Sequence, residues 1–178
     1  MVRVFGKQSL PSGLTMYGDS DWAGEMASRK STSGLACMHG GHLIIAKCNL
    51  QSTISLSSCE AEFYAAVKAL MYALFLRALL VDWGYAHSGI ELLTDSSSAK
   101  AFMERRGLGK NRHVQTKFLW IQERLALKDF VLKKVGTTKN LADLMTKALS
   151  TAVSRQHMLN MGLRIVEQVS DKHRALLK

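Results

Sequence analysis

Read from the N-terminus, the apolar positions come first in short runs and then in one long one. Leu14–Asp19 is short, apolar and closed by a Gly-containing turn, and Gly34–His39 and Leu43–Cys48 flank Gly40-Gly41, the signature of a hairpin between two strands. From Ala61 to Trp83 nearly every residue is apolar or aromatic, which predicts a long helix. Ser57 followed three residues later by Glu60 forms a capping box at its start, and Gly84 supplies its stop. Lys68 and Arg77 leave only eight uncharged residues between them, far fewer than the roughly 20 that a bilayer requires, so the helix is expected inside a protein core and no membrane partner is expected.

The second half continues the alternation. Ile90–Thr94 reads as a strand running into Asp95, and the serines that follow can cap a short helix from Ser97 to about Arg105, stopped by Gly107 and Gly109. Val114–Leu127 has helical spacing with Lys117, Arg124 and Lys128 outward, Phe130–Val135 is a last strand, and Asn140 caps a helix through Leu149. Three strands, a helix, a strand, two helices, a strand and a helix predict an α/β domain with a mixed sheet covered by helices. We place this domain at 13–150, with a lead-in at 1–12 and a helical and polar tail at 151–178 that includes a short helix over Gln156–Leu163.

Composition is ordinary for a globular chain of 178 residues, 47% apolar and 21% charged, which excludes a disordered polycation. Charge placement changes the picture. The net +10 lies wholly beyond residue 100: the first 100 residues carry eight basic and eight acidic side chains, the remainder 16 and 6. A neutral half rich in carboxylates beside a strongly basic half points to a polyanionic partner such as nucleic acid. Three cysteines, an odd set without a preceding signal peptide, suggest an intracellular compartment, cytoplasmic or nuclear.

Four acids fall at element ends, where α/β proteins build sites: Asp19 at the end of the first strand, Glu62 in the first turns of the long helix, Asp95 at the end of the fourth strand and Asp143 in the first turn of the last helix. Hard divalent cations need such convergent oxygen ligands. Glu60 and Glu62 stand about 200° apart around the helix and cannot both enter one site; Glu60 serves the cap and Glu62 is free to ligate. A zinc site from Cys37, His39, His42 and Cys48 is the competing metal reading, at a spacing that fits no usual zinc pattern.

Five blocks in register carry a family resemblance. Tyr17-Gly18-Asp19-Ser20-Asp21-Trp22-Ala23-Gly24, Arg29-Lys30-Ser31-Thr32-Ser33-Gly34, Leu56-Ser57-Ser58-Cys59-Glu60-Ala61-Glu62-Phe63-Tyr64-Ala65, Leu93-Thr94-Asp95-Ser96-Ser97-Ser98-Ala99 and Asn140-Leu141-Ala142-Asp143-Leu144-Met145-Thr146-Lys147-Ala148-Leu149 closely resemble the ribonuclease H domain of copia-type LTR retrotransposon polyproteins. The resemblance implies a ribonuclease H-like fold, a five-stranded mixed sheet with helices on both faces. It implies that Asp19, Glu62, Asp95 and Asp143 bind two Mg2+ ions, with Mn2+ as a substitute, and that the chain cuts the RNA strand of an RNA–DNA hybrid. Asp21 and His113 are the implied accessory residues. Arg29, Lys30, Ser96, Lys110, Arg112 and Lys117 are the expected nucleic-acid contacts, and an upstream reverse transcriptase domain in a parent polyprotein is the expected partner.

The chain also departs from the family pattern. Gln115 and Leu119 stand where an acid and a second histidine are expected, and Val135–Lys139 lacks the histidine that cellular relatives often carry, which bears on product release. The alternative to a nuclease is a nucleic-acid binding remnant that keeps the fold without the activity. An integrase or transposase would place its glutamate last among the acids, whereas here it comes second.

Overall fold

A computed structural model describes residues 2–3, 5–8, 13–85, 89–109 and 111–164. Strands β1 (Gly13–Asp21), β2 (Thr32–His39) and β3 (His42–Leu50) form an antiparallel meander; β4 (Gly89–Thr94) and β5 (Val131–Lys134) add in parallel on the other side of β1, giving the order β3-β2-β1-β4-β5. This is the mixed five-stranded sheet expected, and each of the first three strands is longer than its apolar run. The ladder extends into polar positions because Ser20, Asp21, Thr32 and Ser33 pair with one another across β1 and β2. A second ladder of two residues per strand joins Val2–Arg3 to Leu163–Arg164.

The long helix α1 (Ser58–Asp82) begins where Ser57 accepts a hydrogen bond from the Glu60 amide at 3.2 Å. The return half of the expected capping box differs: the Glu60 carboxylate accepts from the Leu56 amide at 2.9 Å rather than from Ser57. By length and composition α1 could cross a membrane, yet its first sixteen residues place Phe63, Val67, Leu70 and Ala73 in the core. Ala65, Ala66 and Ala69 lie against Gly18 of β1, small residues on both sides that let helix and strand approach closely. Helices α2 (Ser97–Glu104) and α3 (Trp120–Ala126) share this face, where Phe102 stacks on Phe63 with ring centroids 4.3 Å apart.

Two helices expected from spacing prove shorter and tighter. Over Val114–Leu127, Val114 is buried by itself, Gln115 is extended, a 3-10 turn covers Thr116–Leu119 and only then does α3 begin. After Asn140 the chain forms a 3-10 helix over Leu141–Met145 instead of an α-helix through Leu149. This short segment and α4 (Thr151–Asn160) cover the opposite sheet face, with Ala36, Met38, Leu43, Leu141 and Met161 between them. α4 starts five residues before the expected tail helix because Ser150 caps it through the Val153 amide. The tail beyond residue 164 lies outside the described residues.

The 3-10 helix rests directly on Gly34, the residue paired with Asp19 across β1 and β2. A Cβ at Gly34 would stand 2.6 Å from the Thr146 methyl carbon, 2.8 Å from Met145 Cβ and 2.9 Å from the Ala142 carbonyl oxygen. Gly34→Ala is therefore expected to lift this segment off the sheet and to cost about 1–3 kcal/mol in chemical denaturation. An unchanged unfolding midpoint would show that the segment yields freely.

Candidate active site

Asp19 lies near the C-terminal end of β1, on the sheet face covered by the 3-10 helix, and is fully buried. Asp95 directly follows β4, which is parallel to β1, so both chains deliver their carboxylates to the same end of the sheet. Asp143 comes down onto that end from the 3-10 helix. One carboxylate oxygen from each of Asp19, Asp95 and Asp143 lies within 4.8 Å of the others. Glu62 approaches from α1: its Oε1 accepts the Ser20 amide at 3.1 Å, and its Oε2 is buried with no hydrogen-bond partner. Glu62 falls outside the 4.8 Å group, but the charges of Asp19 and Asp95 both act on it.

A dense set of donors holds Asp19. Asn140, fully buried, caps the 3-10 helix by accepting from the Ala142 amide at 3.3 Å; its Nδ2 donates to the Gly18 carbonyl at 3.3 Å and toward Asp19 Oδ1 at 3.5 Å. The Thr146 hydroxyl donates to Asp19 Oδ2. The Lys147 ammonium lies 3.1 Å from Asp19 Oδ1 and 3.1 Å from Asp143 Oδ1, bridging the two acids. Thr146 and Lys147 carry little signal as site residues in the sequence; the four-residue step from Asp143 to Lys147, which on a helix would place opposite charges on one face, is the sign available.

The electrostatics follow from burial. Loss of water is the largest influence on Glu62, reinforced by Asp19 and Asp95 and only partly offset by the Ser20 amide, and its carboxyl is pushed up to about 8. Burial also raises Asp19, to about 6, with Thr146 and Lys147 opposing and Asp143 adding to the rise. At Lys147 burial acts to lower the ammonium's pKa, but Asp19 and Asp143 outweigh it and hold it above its usual value.

The other expected site residues are engaged elsewhere than in the group of Asp19, Asp95 and Asp143. Asp21 is the last residue of β1, where its carboxylate accepts from the amide of Thr32, its partner across the ladder. Glu60 is separated from Glu62 as helix geometry requires, but it does more than cap: it is buried and takes the Tyr64 hydroxyl at 2.6 Å and His113 Nε2 at 2.8 Å. His113 thus ties the loop after α2 to the start of α1. Ser96 caps α2 through the Ala99 amide at 3.1 Å. Arg29, at a positive φ of 58°, and Arg112 are exposed, Lys30 is half-buried, and Lys117 lies over the Phe118 ring. Lys110 lies outside the described residues. The zinc alternative does not assemble: Cys37 is buried in the core while Cys48 is exposed, and the His39 and His42 rings contact the Gly13 and Gly6 carbonyls.

Buried carboxyls with raised pKa values keep protons that the unfolded chain has released, so folding stability falls as pH rises through the interval between the two states. For Asp19 and Glu62 that interval runs from about pH 4 to about 8. Chelator-treated protein is expected to unfold at lower denaturant at pH 8 than at pH 5.5, and Glu62→Gln to flatten the profile. A Glu62→Gln profile as steep as the parent's would remove Glu62 as the source.

No family model matches the chain. It is 28% identical over 137 residues to the retrovirus-related Pol polyprotein from transposon TNT 1-94 of Nicotiana tabacum, a match covering 76% of this chain and 10% of the polyprotein. The chain thus spans about a tenth of the length of that relative. Among solved structures it resembles LC11-RNase H1, isolated from compost, with a TM-score of 0.56 at 17% identity, covering 75% of this chain and 92% of that one. The same protein in complex with an RNA/DNA hybrid superposes with a TM-score of 0.51 at 17% identity, over 74% and 92% of the two chains. The fold is therefore that of ribonuclease H, and the resemblance carried by the five sequence blocks is borne out: the chain's relatives include retrovirus-related Pol polyproteins of copia-type transposons, and its structural neighbours include ribonuclease H domains.

Proposed function

We propose that the chain is a metal-dependent ribonuclease that hydrolyses the RNA strand of an RNA–DNA hybrid, as a domain of a retrotransposon polyprotein. The observation that carries this reading is the convergence of Asp19, Asp95 and Asp143 within 4.8 Å, with the unpartnered Glu62 Oε2 beside them. Several buried carboxylates gathered without enough donors are costly unless a cation compensates them. A lysine ammonium already bridging two of them shows that a positive charge fits there.

Asp19, Glu62, Asp95 and Asp143 are the residues that would hold Mg2+, and their all-oxygen chemistry suits that ion or Mn2+. Bound as a pair, such ions supply an activated water and positive charge for phosphodiester hydrolysis. The chain's own residues then have separate tasks. Asn140 and Thr146 fix the Asp19 carboxylate, and the Ser20 amide turns Glu62 so that one oxygen remains available. Asp95 directly follows β4, whose last residue, Thr94, pairs with Lys134 of β5.

The exposed Arg29, Arg112 and Lys117, with Lys110 and the half-buried Lys30, are the candidates for phosphate contacts, and Lys110, Arg112 and Lys117 belong to the basic excess beyond residue 100. Selection of hybrid over DNA duplex would come from groove shape and 2′-hydroxyl contacts. That LC11-RNase H1 has been solved with an RNA/DNA hybrid supports the choice of substrate. An upstream reverse transcriptase domain in the parent polyprotein and an intracellular setting complete the reading.

Cleavage of an end-labelled RNA–DNA hybrid in Mg2+ tests it. The parent chain is expected to cut the RNA strand, Asp95→Asn to lose at least about a hundredfold in rate while still binding hybrid, and chelator to abolish cutting. Binding without cutting by the parent chain would instead identify a binding remnant. Hybrid affinity is also expected to fall at least about tenfold between 50 and 200 mM salt, as phosphate contacts by a handful of basic side chains require. A salt-independent affinity would reassign the basic excess to surface solvation.

A further inference from the structure

The acid cluster contains its own cation. Lys147 Nζ lies 3.1 Å from one oxygen each of Asp19 and Asp143, whose side chains are 0% and 7% exposed, while the Lys147 side chain is 38% exposed. The ammonium therefore reaches into a buried site from a stem that remains in contact with solvent. The other Asp19 oxygen is taken by Thr146, and Asn140 Nδ2 lies 3.5 Å from the oxygen that Lys147 contacts. At such separations each carboxylate attracts the ammonium strongly, and one cation between two acids also offsets their mutual repulsion.

We infer that Lys147 is a built-in placeholder: its ammonium occupies the cation position between Asp19 and Asp143 in the metal-free protein, and a divalent ion displaces it on binding. The inference rests on the reading of these acids as metal ligands. Lys147 is on this account a positioning residue with two opposed effects. It holds the acids together before metal arrives, and it lowers the affinity for the first ion because that ion must compete with it for Asp19 Oδ1 and Asp143 Oδ1. The half-exposed stem provides the exit, since the side chain can turn outward without disturbing the core. A purely structural lysine has the opposite signature: removing it would loosen the acids and weaken metal binding.

The test uses the full chain, stripped of metal, with Mn2+ binding followed by electron paramagnetic resonance. Lys147→Gln is expected to bind the first Mn2+ about tenfold more tightly than the parent, and to unfold at lower temperature without metal, with the gap closing at saturating Mn2+. Lys147→Arg keeps the charge, so it is expected to fold like the parent and to bind Mn2+ no more tightly. Equal or weaker binding by Lys147→Gln, or tighter binding by Lys147→Arg, overturns the placeholder while leaving the acids as metal ligands. Absence of Mn2+ binding in parent and variants alike overturns both.

Discussion

Repulsion among carboxylates withdrawn from water is the constraint to which the rest of this structure answers. Asp19 and Asp143 are buried, Glu62 is mostly so, and Asp95 adjoins them. Left alone, such a group would protonate or force the elements apart. The chain offsets the repulsion with one ammonium, one hydroxyl, one side-chain amide and one backbone amide, from Lys147, Thr146, Asn140 and Ser20. The set is incomplete, as the orphaned Glu62 Oε2 and the upward displacement of Asp19 and Glu62 both show. An arrangement stable enough to fold but short of positive charge is what the proposed metal centre requires.

The scaffold supplies the convergence. Parallel pairing of β1 with β4 brings Asp19 and Asp95 to the same end of the sheet, α1 crosses close enough over Gly18 to deliver Glu62, and Gly34 admits the 3-10 helix that carries Asp143. Asn140 connects these layers, since one side chain both starts the 3-10 helix and bonds to β1. Away from the acids, Glu60, Tyr64 and His113 form a separate polar cluster that fastens the loop after α2 to the start of α1. Two glutamates two residues apart thus serve two distant tasks, as the pitch of the helix dictates.

Much of this was legible in the sequence because strands and caps have local causes. The order of elements, the Ser57 and Asn140 caps, the division of labour between Glu60 and Glu62, and the place of the acids at element ends follow from spacing, whereas their grouping into one site is what the family resemblance implies. The 3-10 helix over Leu141–Met145 was not legible, because an asparagine cap and an acid three residues later suit an α-helix and a 3-10 turn equally; contact with Gly34 decides between them. The break in Val114–Leu127 was hidden for the same reason, apolar spacing being nearly alike in the two helix types. Thr146 and Lys147 act on Asp19 from more than 120 residues away, a relation that no local pattern carries.

The central claim is that the four acids form a divalent metal centre that displaces a resident ammonium. Anomalous diffraction from crystals of the chain grown with Mn2+ addresses it most directly. The account predicts anomalous density ligated by Asp19, Glu62, Asp95 and Asp143, with Lys147 Nζ turned away from Asp19 and Asp143. Density elsewhere only, or full metal occupancy with Lys147 still bridging the two aspartates, would contradict it.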